Sequence, residues 1–80
     1  MSSRISRLRW QCRRGMRELD QLLVAYLDTR YQIATMDDKR AFESLLELPD
    51  PVLVSYLLNK QKATPELQRV VDHILGRIEA

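Results

Sequence analysis

Apolar residues recur along this chain every three to four positions, the period of helices that bury one face. Ile5, Leu8 and Cys12 follow the i, i+3, i+7 spacing and predict a short first helix ending near Arg14. At roughly 100° per residue, Met16, Leu19, Leu22, Leu23, Tyr26 and Leu27 share an arc of about 140°, the width of a core-facing stripe. A second helix is therefore expected from about Met16 to Tyr31, with Ile33 and Ala34 in a short connection. Thr35 reads as the N-cap of a third helix, with Asp37 and Asp38 in its first turn, where negative charge meets the positive end of the helix dipole. Phe42, Leu45 and Leu46 face inward, and Pro49 stops that helix near Leu48, because proline disfavours helix in the residue before it.

Asp50-Pro51 reads as a restart, with Asp50 as N-cap and proline at the first helical position. The fourth helix holds Leu53, Val54, Leu57 and Leu58 and ends near Asn59, before a solvated link Lys60-Gln61-Lys62-Ala63. Thr64-Pro65-Glu66 repeats the cap-and-proline device. The last helix carries Leu67, Val70, Val71, Ile74, Leu75 and Ile78 on one stripe, weakened at Gly76 by about 1 kcal/mol against alanine. His73 lies off the centre of that stripe and is expected at the surface or its boundary. There is no strand signal, internal repeat or low-complexity segment. The fold class is thus all-α: residues 1–80 as a single domain, a compact small antiparallel bundle of about five short helices.

The pattern breaks at Arg13-Arg14-Gly15-Met16-Arg17-Glu18-Leu19-Asp20. Gly15 can take a positive φ at little steric cost, so it suits a sharp bend between two helices, and it leaves room for a foreign backbone. On the wheel, Arg17 and Glu18 fall outside the apolar arc and point away from the core. Read from the residues alone, this is a C-cap glycine followed by a solvated charged turn, or else a polar ridge that a partner grips. Trp10 falls almost opposite the Ile5/Leu8/Cys12 face; it either packs on a second helix or stands exposed beside the bend, where Trp and Arg make good interface anchors. Cys12 reads as a small core residue with no base placed to lower its pKa.

Composition narrows the function class. The chain has 80 residues, 45% hydrophobic and 30% charged, which describes an ordinary globular domain. At this size only about 60–65% of the unfolded chain's surface is buried, so stability is modest. One cysteine excludes an internal disulfide, and one histidine beside it gives no metal-ligand set; both fit a reducing compartment. No apolar run approaches the roughly 20 residues of a membrane span. The Ser- and Arg-rich start is a weak transit-peptide signal, and the helical pattern begins too soon after Met1 to leave room for a removable leader. The net charge of +2 hides an asymmetry: residues 1–17 hold six arginines and no acid, and the rest is net acidic. A basic end on an acidic body steers toward an acidic protein surface or nucleic acid. No second histidine, triad, Gly-rich phosphate loop or dinucleotide fingerprint is present, and so small a domain does not easily enclose a flavin-sized pocket. The protein is expected to act by binding another protein, not as an enzyme.

The run Arg14-Gly15-Met16-Arg17-Glu18 resembles the RGxxE signature of the FAD assembly factor family of succinate dehydrogenase, the SdhE family. The likeness extends to Trp10, Cys12, Leu19-Asp20, Asp37-Asp38-Lys39-Arg40, Leu45-Leu46-Glu47 and Asp50-Pro51, covering nearly the whole chain. The resemblance implies a chaperone that binds the flavoprotein subunit of succinate dehydrogenase, and in bacteria that of fumarate reductase, and promotes covalent attachment of FAD. In that family the bond joins a histidine of the client to the flavin 8α carbon, so the chemistry belongs to flavin and client. It implies a partner-binding surface of Arg14, Gly15, Met16, Arg17 and Glu18, edged by Trp10, Arg13 and Asp20. Arg14 would pair with a client carboxylate or reach flavin oxygens. Glu18 would accept from a client cation or N–H. No cofactor is expected to be held permanently, FAD being contacted through the client. A monomer in the bacterial cytoplasm is expected, in preference to the mitochondrial matrix, with no membrane insertion and no nucleic acid.

The alternative is a small helical nucleic-acid binder or antitoxin-like regulator. The arginine-rich start and the bend at Gly15 favour it; the acidic body and Glu18, Asp20 and Asp28 on the would-be recognition helix oppose it.

Overall fold

A computed structural model describes residues 3–76 of the chain. Five α-helices follow in order: α1 (Ser3–Gln11), α2 (Arg17–Thr29), α3 (Met36–Leu46), α4 (Asp50–Leu57) and α5 (Pro65–Ile74), with a 3-10 turn at Tyr31–Ile33 between α2 and α3. The all-α bundle expected from periodicity is the fold observed. Its radius of gyration, 11.5 Å, matches the roughly 11.6 Å of a close-packed globule of this length, so the helices share one core.

Phe42 sits at the centre of that core, fully buried with Leu19, Leu23, Leu27, Leu45, Leu53, Val70 and Val71. Tyr26 and Tyr31 tilt against it, with ring centroids 4.6 and 5.7 Å away. Such aromatic pairs contribute about 0.5–1.5 kcal/mol beyond the area they bury. The Tyr31 hydroxyl donates to Glu43 Oε2 at 2.6 Å, and Arg4 reaches Glu43 Oε1 at 3.4 Å, tying α1 and the 3-10 turn to α3. Cys12 is fully buried at the exit of α1, the small core residue its spacing implied.

The helix boundaries depart from expectation at several residues. Met16 lies in extended backbone as the N-cap of α2, exposed and outside the core stripe assigned to it. The cap of α4 is Pro49, whose carbonyl accepts from Val52 N–H at 3.0 Å and Leu53 N–H at 3.2 Å. Asp50, expected in that role, enters the first turn of α4 and turns its carboxylate to Arg14. Gly76, expected to weaken the interior of the last helix, lies beyond its end at φ +75. Its N–H donates to His73 O at 3.2 Å, closing α5 in the left-handed conformation that favours glycine. His73 is buried, with 6% of its surface exposed, because α5 packs against α2, α3 and α4 and buries more than a single stripe. Ile78, assigned to that stripe, lies outside the described residues.

Candidate docking bend between the first two helices

The bend is built from the inside out. Leu8 and Cys12 are buried on α1, and Cys12 N–H donates to Leu8 O at 3.0 Å, which fixes the exit of the helix against the core. Burial pushes the Cys12 thiol up to about 11, with the charges of Arg14 and Arg9 opposing the shift, so it is protonated and inert at neutral pH. Leu19 anchors the other side, fully buried on α2. Between these two anchors the chain reverses through Gly15 at φ +82. A Cβ placed on Gly15 would meet nothing within 4 Å, so the glycine answers a conformational requirement and its surroundings stay open.

Two intramolecular contacts hold the bend. The Asp20 carboxylate accepts from Arg14 N–H at 2.7 Å, bridging the loop onto the first turn of α2. The Arg14 side chain then crosses to the α3–α4 corner. Its Nη2 donates to Leu46 O; its Nη1 lies 3.5 Å from Leu48 O and 3.4 Å from Asp50 Oδ1. The last turn of α3 contains no basic residue of its own. Arg14 therefore supplies, from another element, the cation and donors that the carbonyl end of a helix favours.

Arg14, expected to pair with a partner carboxylate, has an intramolecular role in the chain by itself. Its side chain is only 16% exposed and its Nη atoms are engaged by Leu46, Leu48 and Asp50. Asp20, half-buried, is likewise a brace of the loop. The remaining expected site residues stand outward. Trp10 is 71% exposed, settling the two readings of its position in favour of the surface. Arg13, Gly15, Met16, Arg17 and Glu18 are all exposed along the same bend. Glu18 also edges a shallow groove of about 290 Å³ that it shares with Gln21, Leu22 and Leu58 of the α4 end. The arrangement is a braced outward knuckle with two exposed apolar residues, Trp10 and Met16, among Arg13, Arg17 and Glu18. It can bind a surface; it assembles no acid–base pair or activated nucleophile.

The sequence reading missed Asp50 and the α3 carbonyls as partners of Arg14. A signal was present: a helix end at Leu46 without a cation, just before a proline, invites one from elsewhere in the chain.

A family model described as "Flavinator of succinate dehydrogenase" matches residues 6–78. The chain belongs to this family. Among curated relatives, the FAD assembly factor SdhE of Shewanella oneidensis is 43% identical over 74 residues, covering 91% of this chain and 90% of that protein. The protein of the same name from Pectobacterium atrosepticum is 41% identical over 73 residues, covering 90% of this chain and 83% of its own. That from Coxiella burnetii is 43% identical over 60 residues, covering 75% and 71%. The matched residues include both the bend and the α3–α4 corner that braces it.

Proposed function

We propose that this protein is an assembly factor that binds the flavoprotein subunit of succinate dehydrogenase and promotes covalent attachment of FAD to it. The observation that carries the reading is a surface bend braced by its own Arg14 and Asp20, presenting Trp10, Arg13, Met16, Arg17 and Glu18, in a chain of the flavinator family. A binder shifts a client's equilibrium only by its differential affinity for one conformation, and the bracing contacts of the bend favour presenting one shape to it. The bond-forming chemistry resides in flavin and client. FAD is held by the client in this reading: the groove between α3 and α5, about 430 Å³, is lined by Asp37, Asp38 and Glu66 as well as by Arg40 and Arg69, and its acids would repel a diphosphate. Fumarate reductase is a second client in this reading, and the bacterial cytoplasm its compartment; the relatives named above come from bacteria.

The nucleic-acid reading is not favoured. Arg4, Arg9 and Arg14 of the arginine-rich start are engaged by Glu43, Asp28 and Asp50, which lowers the charge available to phosphate.

The test is a reconstituted flavinylation assay with apo-flavoprotein and FAD, with and without this protein. Gly15→Arg is expected to keep the helical circular dichroism and to lose stimulation. Glu18→Ala is expected to weaken the complex by about 1–3 kcal/mol, if its counter-charge is buried on binding. Stimulation undiminished by both variants would remove the bend as the docking surface.

A further inference from the structure

The opposite end of α2 holds a second feature that the docking bend does not use. A pocket of about 170 Å³ opens there between α2, the 3-10 turn, α3 and α5. It lies about 18 Å along the helix from Glu18, twelve residues at roughly 1.5 Å each. Tyr26, Arg30, Thr35, Asp38, Arg69 and His73 line it. The Tyr26 hydroxyl is buried without a hydrogen-bond partner, and the charges acting on it are Asp38, Arg30 and Arg69. Burial pushes that phenol up to about 12, so it is a donor at neutral pH.

Asp38 is already engaged by Arg69, Nε to Oδ1 at 3.2 Å. Thr35 Oγ1 already accepts from Asp38 N–H at 3.1 Å. Ion pairs among the described residues engage Arg4, Arg9, Arg14 and Arg69, which leaves the Arg30 guanidinium without one. A group that pairs with Arg30 is therefore a negatively charged acceptor. The volume is below the roughly 300 Å³ at which cofactor and drug-sized sites begin, and it suits one side chain. Beside the pocket stand the 73%-exposed Ile33, on its lining, and Met36, also exposed. The large exposed apolar residues of the described chain thus fall at the two ends of α2: Trp10 and Met16 at the bend, Ile33 and Met36 here.

We infer that this pocket is a second contact point for the same flavoprotein partner, taking an Asp or Glu side chain of that protein on the Arg30 guanidinium while a neighbouring apolar residue covers Ile33. The inference rests on the function proposed above. Two contacts separated along α2 fix a partner's orientation, which a single knuckle does not.

The experiment is calorimetric titration of the full chain with the apo-flavoprotein subunit, at low and moderate salt. Arg30→Gln is expected to weaken binding about tenfold, with a smaller salt dependence than the parent. Ile33 is a surface position, so Ile33→Asp and Ile33→Lys keep the fold, as melting curves would show. Ile33→Asp is expected to bind at least about fivefold more weakly than Ile33→Lys, because only the former repels a carboxylate. Arg30→Gln and both Ile33 variants binding within about twofold of the parent would overturn the inference, as would equal losses for Asp and Lys. Saturable shifts of the Tyr26 and His73 resonances with acetate, together with unaltered flavoprotein binding by the variants, would make this a small-anion site and also overturn it. If the parent chain fails to bind the flavoprotein at all, the proposed function falls with it. If the parent binds and Glu18→Ala weakens the complex while the Arg30 and Ile33 variants do not, only the second contact is lost.

Discussion

Gly15 and Arg14 are neighbours with opposite duties. Gly15 has open space around it and a left-handed φ of +82, so an L-residue there meets strain and no clash. Gly15→Ala is expected to cost about 1–2 kcal/mol in urea denaturation. A synthetic chain with D-alanine at the same position is expected to regain or exceed the parent stability, since that residue favours positive φ and has fewer unfolded conformations. If the D-alanine chain is stable yet fails to stimulate flavinylation, the glycine also serves as room for a partner. Arg14 does the bracing. Replacing it with alanine removes the donors to the Leu46 and Leu48 carbonyls and the counter-charge of Asp50, which is 45% exposed and regains water, an expected loss of about 1–2 kcal/mol. Arg14→Lys is expected to recover less than half of that, because an ammonium does not span the acceptors that a planar fork reaches. Stability unchanged in Arg14→Lys by chemical denaturation would show that charge alone, and not the fork, holds the corner. An arginine beside a glycine in a charged run was legible as a candidate contact. Its inward turn was not, since the acceptors it reaches lie more than thirty residues along the chain.

At the scale of elements, two similar N-cap sequences behave differently. Thr35 accepts from Asp38 N–H at 3.1 Å, whereas Thr64 makes no side-chain cap bond. Near the start of α5, Gln68 Oε1 instead accepts from Ala63 N–H at 2.8 Å, closing the entry to the helix from within. Thr35→Ala is therefore expected to lower the melting free energy by about 1 kcal/mol, and Thr64→Ala by less than about 0.5. Equal effects in thermal or urea unfolding would count against this difference. The starts of α3 and α5 were readable because a cap and a proline act over a few adjacent residues. The start of α4 was misplaced by one residue for the opposite reason: Asp50 has a distant partner in Arg14 that outweighs its local role. Tyr31 shows the same competition, leaving α2 for a 3-10 turn that keeps its ring on Phe42 and its hydroxyl on Glu43.

For the molecule as a whole, the buried acids of the core set an alkaline limit. Burial raises the Cys12 thiol from 9.0 to about 11, and the Tyr26 and Tyr31 phenols from 10.0 to about 12. For Tyr31 the hydrogen bond to Glu43 adds to the shift. Because the folded state holds these protons more tightly, stability is fully present below the unfolded values and falls as pH rises through the folded ones. Loss is expected to begin near pH 9 and continue to about pH 12. Cys12→Ala should flatten the lower part of that decline, as read from urea midpoints between pH 8 and pH 11 relative to the parent. A parent midpoint constant to about pH 11 would contradict the burial assigned to these groups.

The division between sequence and tertiary structure follows from the range of the interactions. Periodicity, caps and prolines act within about one or two helical turns, so the chain's order of residues determined an all-α bundle, its helix count and the bend at Gly15. The same order separated the outward Arg17 and Glu18 from the inward Leu19 and Leu23. What only the folded arrangement decided was the fate of polar groups whose partners are far away in the chain. Arg14 and Asp50, Asp38 and Arg69, and His73 beneath the enclosed α5 took their positions from helices meeting in space. No local pattern encodes such meetings, because a charged side chain reads the same on the surface as beside a counter-charge until the packing brings the two together.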